Sequence, residues 1–182
     1  MIQNLVLNKK YDDLIMVGDL HWRILTFLEK IKKYDIKNTL FYHVGDLSMC
    51  DWNIATGELS ILNRELYNRN CYFLSIRGNH DDCWYFNKKF ELSAIKLLPD
   101  FTITEIIIKD KVLRIMGIGG AVSIDRAKQK ENGTYFLGEE FPYLDNYDFL
   151  HHDFNLDILV THTCPAGCWP IMKSPEDVQE YS

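Results

Sequence analysis

The sequence predicts an α/β domain in which a parallel sheet gives way to β-rich structure, and three observations carry that reading. Short apolar runs alternate with segments of helical period over the first hundred residues. Three of these runs lead into Gly-Asp or Gly-Asn. Beyond Pro99 the pattern changes to extended segments around a hairpin. Strand–helix–strand alternation of this kind is what parallel strands joined by crossover helices produce.

Leu14-Ile15-Met16-Val17 is the first apolar run, and it ends at Gly18-Asp19 as a buried strand would. Residues 22–32 then set Ile24, Leu25, Phe27, Leu28 and Ile31 at helical spacing, with Glu29, Lys30 and Lys32 off that face. Residues 39–44 read as a second strand closed by Gly45-Asp46, and residues 54–69 as a helix. A third strand, residues 71–76, runs through Arg77 into Gly78-Asn79. After Pro99, residues 101–108 and 112–116 are β-rich and are separated by Lys109-Asp110-Lys111, which suits a hairpin. Gly117-Ile118-Gly119-Gly120-Ala121 is a glycine-rich turn, where the backbone must bend sharply or approach something closely. Residues 156–160 form a last clear strand, closed by Thr161-His162, and the polar tail from Lys173 offers no further strand. No repeat, low-complexity tract or linker divides the chain, so residues 1–182 are read as one domain.

Composition narrows the function classes. With 182 residues, 47% hydrophobic and 25% charged, the chain has the make-up of a soluble globular domain with a real core. No apolar run approaches the roughly 20 residues of a membrane span, and the start lacks the features of a signal peptide. A cytoplasmic location and no membrane partner are expected. The five cysteines are scattered, which argues against a disulfide framework. Only Cys164 and Cys168 are close. They make half a zinc site with no second pair or suitably spaced histidine after them, so a loop with two free thiols is expected. The net charge of −6 and the dispersed lysines disfavour extended nucleic acid as a partner. Small phosphate esters remain open, because bound cations would reverse the local field.

The strand ends carry the chemistry. They deliver Asp19-Leu20-His21, Gly45-Asp46, Gly78-Asn79-His80-Asp81 and Thr161-His162. In open α/β sheets ligands gather beyond the carboxyl ends of the strands, so these clusters can converge. Carboxylates and imidazoles suit Mn, Fe or Zn. Two such ions can activate a water and stabilise an in-line displacement at phosphorus.

Asp-x-His, Gly-Asp, Gly-Asn-His-Asp and a later strand-end histidine, in this order, resemble the calcineurin-like metallophosphoesterases. Residues 119–126, from Gly119 to Arg126, resemble the small bacterial and phage-type members, and the likeness runs from about Leu14 to about Pro165. The resemblance implies an α/β metallophosphoesterase-type β-sandwich flanked by helices. It implies two divalent metal ions (Mn, Fe or Zn) and a small phosphate-ester substrate. Asp19 and His21 would hold the first ion, Asp46 would bridge, and Asn79 and His162 would hold the second. A hydroxide activated by the two ions would attack a phosphomonoester or phosphodiester without a covalent enzyme intermediate. His80 would be the acid or orienting group, with Asp81 fixing its tautomer.

One departure weighs against full activity. The family signature ordinarily closes with Gly-His-x-His, one histidine for each metal, and this sequence has no histidine after His162. Three protein groups per metal remain, with Asp46 counted twice. The resemblance therefore implies a sandwich without its last strands and metal sites of reduced occupancy. A metal-poor relative acting as a binding scaffold is the alternative function. Strand edges left open could pair two copies as a homodimer.

Each candidate also has a plainer role. Asp19 and Asp46 could be caps or turn formers; Asn79 could be a turn residue, and His80 and His162 structural hydrogen-bonders. Arg126 could grip a substrate phosphate in bidentate fashion or form a surface ion pair. Trp22 and Trp52 beside the motifs are expected to pack rather than to stack on a leaving group. His43 is expected in the core, and His151 and His152 at a solvated helix end.

Overall fold

The computed structural model of the chain describes residues 2–49, 52–87, 92–122, 127, 130–131 and 153–164. Its elements in chain order are β1 (Gln3–Tyr11), β2 (Asp13–Val17), α1 (Ile24–Lys33), β3 (Thr39–His43), α2 (Trp52–Asn68), β4 (Tyr72–Ser75), α3 (Cys83–Asn87), β5 (Ile95–Leu97), β6 (Thr102–Ile108), β7 (Lys111–Ile118) and β8 (Ile158–Thr161). They build two four-stranded sheets. One is wholly parallel in the order β2-β3-β4-β5. The other has the order β1-β6-β7-β8, antiparallel only between β6 and β7.

Side chains alternate across a strand, so each strand of the parallel sheet feeds two cores. Phe41 of β3 and Phe73 of β4 point to the helices, where they meet Ile24, Leu28 and Ile31 of α1 and Leu59, Leu62 and Leu66 of α2. Leu40, Tyr42 and Leu74 point the other way and meet Tyr11, Ile106, Ile115 and Val160 of the second sheet. The layers are therefore helices, parallel sheet, mixed sheet. All five residues of β3 are buried, as a central parallel strand covered on both faces requires.

The expected elements are present, with boundaries shifted by a few residues. Helix α1 starts at Ile24 because His21 and Trp22 take positive φ, 40° and 64°, to turn the chain out of β2. It ends on Asp35 at φ 47°, with Asp35 N–H donating to Lys32 O and Ile36 N–H to Ile31 O. Asn70 at φ 59° closes α2 in the same way. Strands β1 and β5 were not anticipated. Among the described residues β1 is an edge strand with an irregular register between Val6 and Lys10, and its polar residues Gln3, Asn4, Asn8, Lys9 and Lys10 are all exposed. Its partner β6 lies some hundred residues away, so no local pattern announces it. Strand β5 has only three residues. Among the described residues no helix is long and apolar enough to cross a membrane.

Candidate metal centre

The carboxyl ends of β2, β3 and β4 lie side by side because the parallel register sets Val17 against His43 and His43 against Ser75. The loops leaving those ends, joined by the end of β8, form one cluster. At its centre is Asp46, 4% exposed and reached through two left-handed residues, Gly45 at φ 112° and Asp46 itself at φ 59°. That double left-handed step is costly for any residue with a Cβ, and it aims both ends of Asp46 at neighbouring loops. Its carbonyl accepts from Leu20 N–H (3.2 Å) and His21 N–H (3.0 Å), which fixes the Asp-x-His loop. Its Oδ1 accepts from His80 N–H (3.0 Å), which fixes the Gly-Asn-His-Asp loop.

Glycine is required at two points of this junction. A Cβ on Gly78 would overlap the side chain and the amide nitrogen of Asp46. A Cβ on Gly45 would run into the His162 ring. These glycines allow the carboxylate and the imidazole to sit against backbone.

The candidate ligands fall on two sides of Asp46. His21 Nε2 lies 3.4 Å from Asp46 Oδ2 and 3.8 Å from Asp19 Oδ2. The donor atoms of Asp19, His21 and Asp46 all lie within 4.8 Å of one another, a spacing that could hold one ion. On the other side His162 Nε2 lies 3.4 Å from Asp46 Oδ1 and 3.1 Å from Asn79 Oδ1. His162 Nδ1 lies 2.8 Å from the Val44 carbonyl. A carbonyl only accepts, so Nδ1 carries a proton, and Nε2 faces Asn79 and Asp46. An imidazole nitrogen, an amide oxygen and a carboxylate oxygen converge there. A cation suits that arrangement, and the donors are those that first-row divalent metals accept. The residues present thus fit a metal on either side.

His80 is half-buried at the rim, its ring edge-on to His21 at 5.3 Å between centroids. Asp81 does a different job from the one expected of it. It is fully buried, and its carboxylate accepts from the N–H groups of Gly78 (2.7 Å), Met49 (2.8 Å) and Leu47 (3.3 Å). It therefore organises the loops around Asp46 rather than reaching the His80 ring. Burial pushes its carboxyl above the usual range, the amides of Gly78 and Met49 pull it back, and the Asp46 carboxylate adds to the rise. Arg126, His151, His152 and Cys168 lie outside the described residues. Cys164 is exposed, and Trp22 is 37% exposed beside the site.

Two supports lie under the site, one absent from the sequence reading and the other, His43, expected in the core. Arg77, 2% exposed, bonds Asp100 Oδ2 through Nε at 2.8 Å, while Asp100 Oδ1 accepts from Gly119 N–H at 2.8 Å. This couples the Gly-Asn-His-Asp loop to the glycine-rich turn after β7, and Gly120 N–H closes the link on Arg77 O. The only signal was a charged residue at the end of an apolar strand. His43 is fully buried, holds Ser75 Oγ at 2.8 Å through Nδ1 and stacks on Phe73. Burial first, and then the nearby His162 and His21, depress its pKa to about 3.

None of the curated proteins matches the chain. A family model does: it aligns with residues 14–177, which include every strand end that contributes to the cluster. With that span matched and the mixed α/β sandwich in place, the chain belongs to the calcineurin-like phosphoesterase family.

Proposed function

We propose that the protein hydrolyses a small phosphomonoester or phosphodiester with two divalent transition-metal ions, Mn, Fe or Zn. Asp19 and His21 would hold the first ion, Asn79 and His162 the second, and Asp46 would be shared by both. The observation that carries this reading is the division of the Asp46 carboxylate, with Oδ2 3.4 Å from His21 Nε2 and Oδ1 3.4 Å from His162 Nε2. A carboxylate lying between two such donor sets could serve as a ligand to both ions. When bound, the ions would polarise the phosphoryl oxygens and supply an activated water.

The remaining work falls to side chains. The Val44 carbonyl holds His162 in the tautomer that presents Nε2, as ligating histidines are commonly held. The His80 backbone is anchored on Asp46, so its ring stands at the rim where a leaving-group oxygen would need a proton. Arg126 is proposed to grip a phosphate oxygen.

The test is hydrolysis of bis(p-nitrophenyl) phosphate with added Mn²⁺ by the wild type and by Asp46→Asn. Removing first-sphere ligation should cost at least as much as losing an outer-sphere partner, about 100-fold or more. Equal rates in the two proteins would sink the two-metal reading. No turnover by a folded wild type would shift the assignment to a binding scaffold.

A further inference from the structure

A groove of about 410 Å³ opens beside Asp19 and runs away from the candidate metals between β2 and α1. One wall is β2, an edge strand among the described residues, where Met16 is 45% exposed. The other wall is a single stripe of α1 and its N-cap: Arg23, Thr26, Phe27 and Lys30, at the i, i+3, i+4, i+7 spacing of one helix face. Arg23 stands at the metal end, and Lys30 lies about 10 Å further along the helix. Their neighbours Lys32 and Lys37 are neutralised by Glu65 and Asp35. Arg23 and Lys30 are exposed and have no carboxylate within ion-pair reach among the described residues. In a chain of net charge −6, two unpaired cations along a groove that begins at a candidate metal ligand favour an anion there.

We infer that this groove binds the part of the substrate beyond the scissile phosphate, and that the substrate is a phosphate ester carrying a second phosphate group. The inference rests on the phosphoesterase reading for the site at the groove's mouth. The guanidinium of Arg23 offers a fork of donors to phosphate oxygens and Lys30 a point charge. Phe27 and Met16 supply an apolar stretch for the connecting carbon skeleton.

The test uses p-nitrophenyl phosphodiesters whose second ester is hexyl, 6-carboxyhexyl or 6-phosphohexyl. The wild type should show a KM about tenfold lower for the phosphohexyl ester than for the hexyl ester. Arg23→Ala/Lys30→Ala should bring that ratio close to one, whereas Lys111→Ala, the loss of a charge on β7, should leave it intact. In parallel, calorimetry on metal-free protein should show hexane-1,6-diyl bisphosphate binding more tightly than hexyl phosphate, with the difference gone in the double variant. A wild-type ratio near one, or a ratio or bisphosphate affinity unchanged in the double variant, overturns the inference. Equal preference for the carboxyhexyl ester overturns the assignment of a second phosphate. If no ester is turned over with any metal, the phosphoesterase reading fails, and the binding measurement still decides the groove.

Discussion

His80 and Gly78 show how narrowly single residues constrain this site. A general acid matters in proportion to how badly the leaving group needs a proton. His80→Ala should therefore lower kcat by about 100-fold for an alkyl phosphate ester and far less for a p-nitrophenyl ester. Equal losses on both substrates would assign His80 to ground-state binding instead. Gly78→Ala brings a methyl group onto the Asp46 side chain and amide. Asp46 already holds a left-handed backbone, so it has little freedom to yield. The variant should lose metal affinity by about tenfold or more, read by calorimetric titration with Mn²⁺, and unchanged affinity would show that the loop relaxes at little cost. The convergence of this candidate centre was legible in the sequence, because Asp19, His21, Asp46, Asn79, His80 and His162 each follow a strand that its own apolar run announces. The role of Asp81 was not. A carboxylate beside a histidine reads as its partner, and only the folded loops show Gly78, Met49 and Leu47 taking both oxygens.

At the scale of elements, an ion pair ties the loop after β4 to the loop between β5 and β6, and through Asp100 to Gly119 after β7. Arg77 and Asp100 have side chains only 3% and 16% exposed. Taking either charge away leaves the other buried without its ion-pair partner, which typically costs about 3–5 kcal/mol. Asp100→Ala also removes the acceptor for Gly119 N–H. It should lower the denaturation free energy by about that amount in urea titrations and loosen the loop carrying Asn79 and His80. Asp100→Ala with Arg77→Met removes both charges and should recover part of the loss. If the double variant is no more stable than the single, the pair is not the tie. Sequence periodicity located the partners' strands but not the tie, because the two residues stand 23 positions apart and meet only once the sheets stack. The same separation in sequence hid β1, whose pairing with β6 joins the first residues of the chain to the hundreds. The parallel strands were visible because each carries a continuous apolar run that needs no distant information, buried along β3 and nearly so along β4 and half-exposed on the edge strand β2.

The whole molecule carries a pH dependence that originates beneath the candidate metal centre. His43 sits at full burial between Ser75 and Phe73, with a pKa depressed to about 3 from the ordinary 6.5. The unfolded chain protonates this imidazole as pH falls through the ordinary value, and the folded protein does so only near the depressed one. Between those two values the unfolded state binds more protons, so stability rises with pH and is lost on acidification. From pH 7 to pH 5 the loss through this one group is about 2 kcal/mol, and it levels off near the folded-state pKa. Asp81 works in the opposite sense, because its raised carboxyl lets the folded state take up a proton before the unfolded chain does. The two contributions separate on comparing wild type with His43→Asn, since Asp81 is common to both. Urea denaturation of metal-free protein from pH 7 to pH 5 should show a steeper loss in the wild type, by about 2 kcal/mol over the window. Chelator is needed, because metal bound by the neighbouring histidines would add its own proton linkage. Parallel stability curves for the two proteins would mean that His43 titrates normally in the folded state, and that the layer between the candidate site and the core admits charge far more readily than its burial implies.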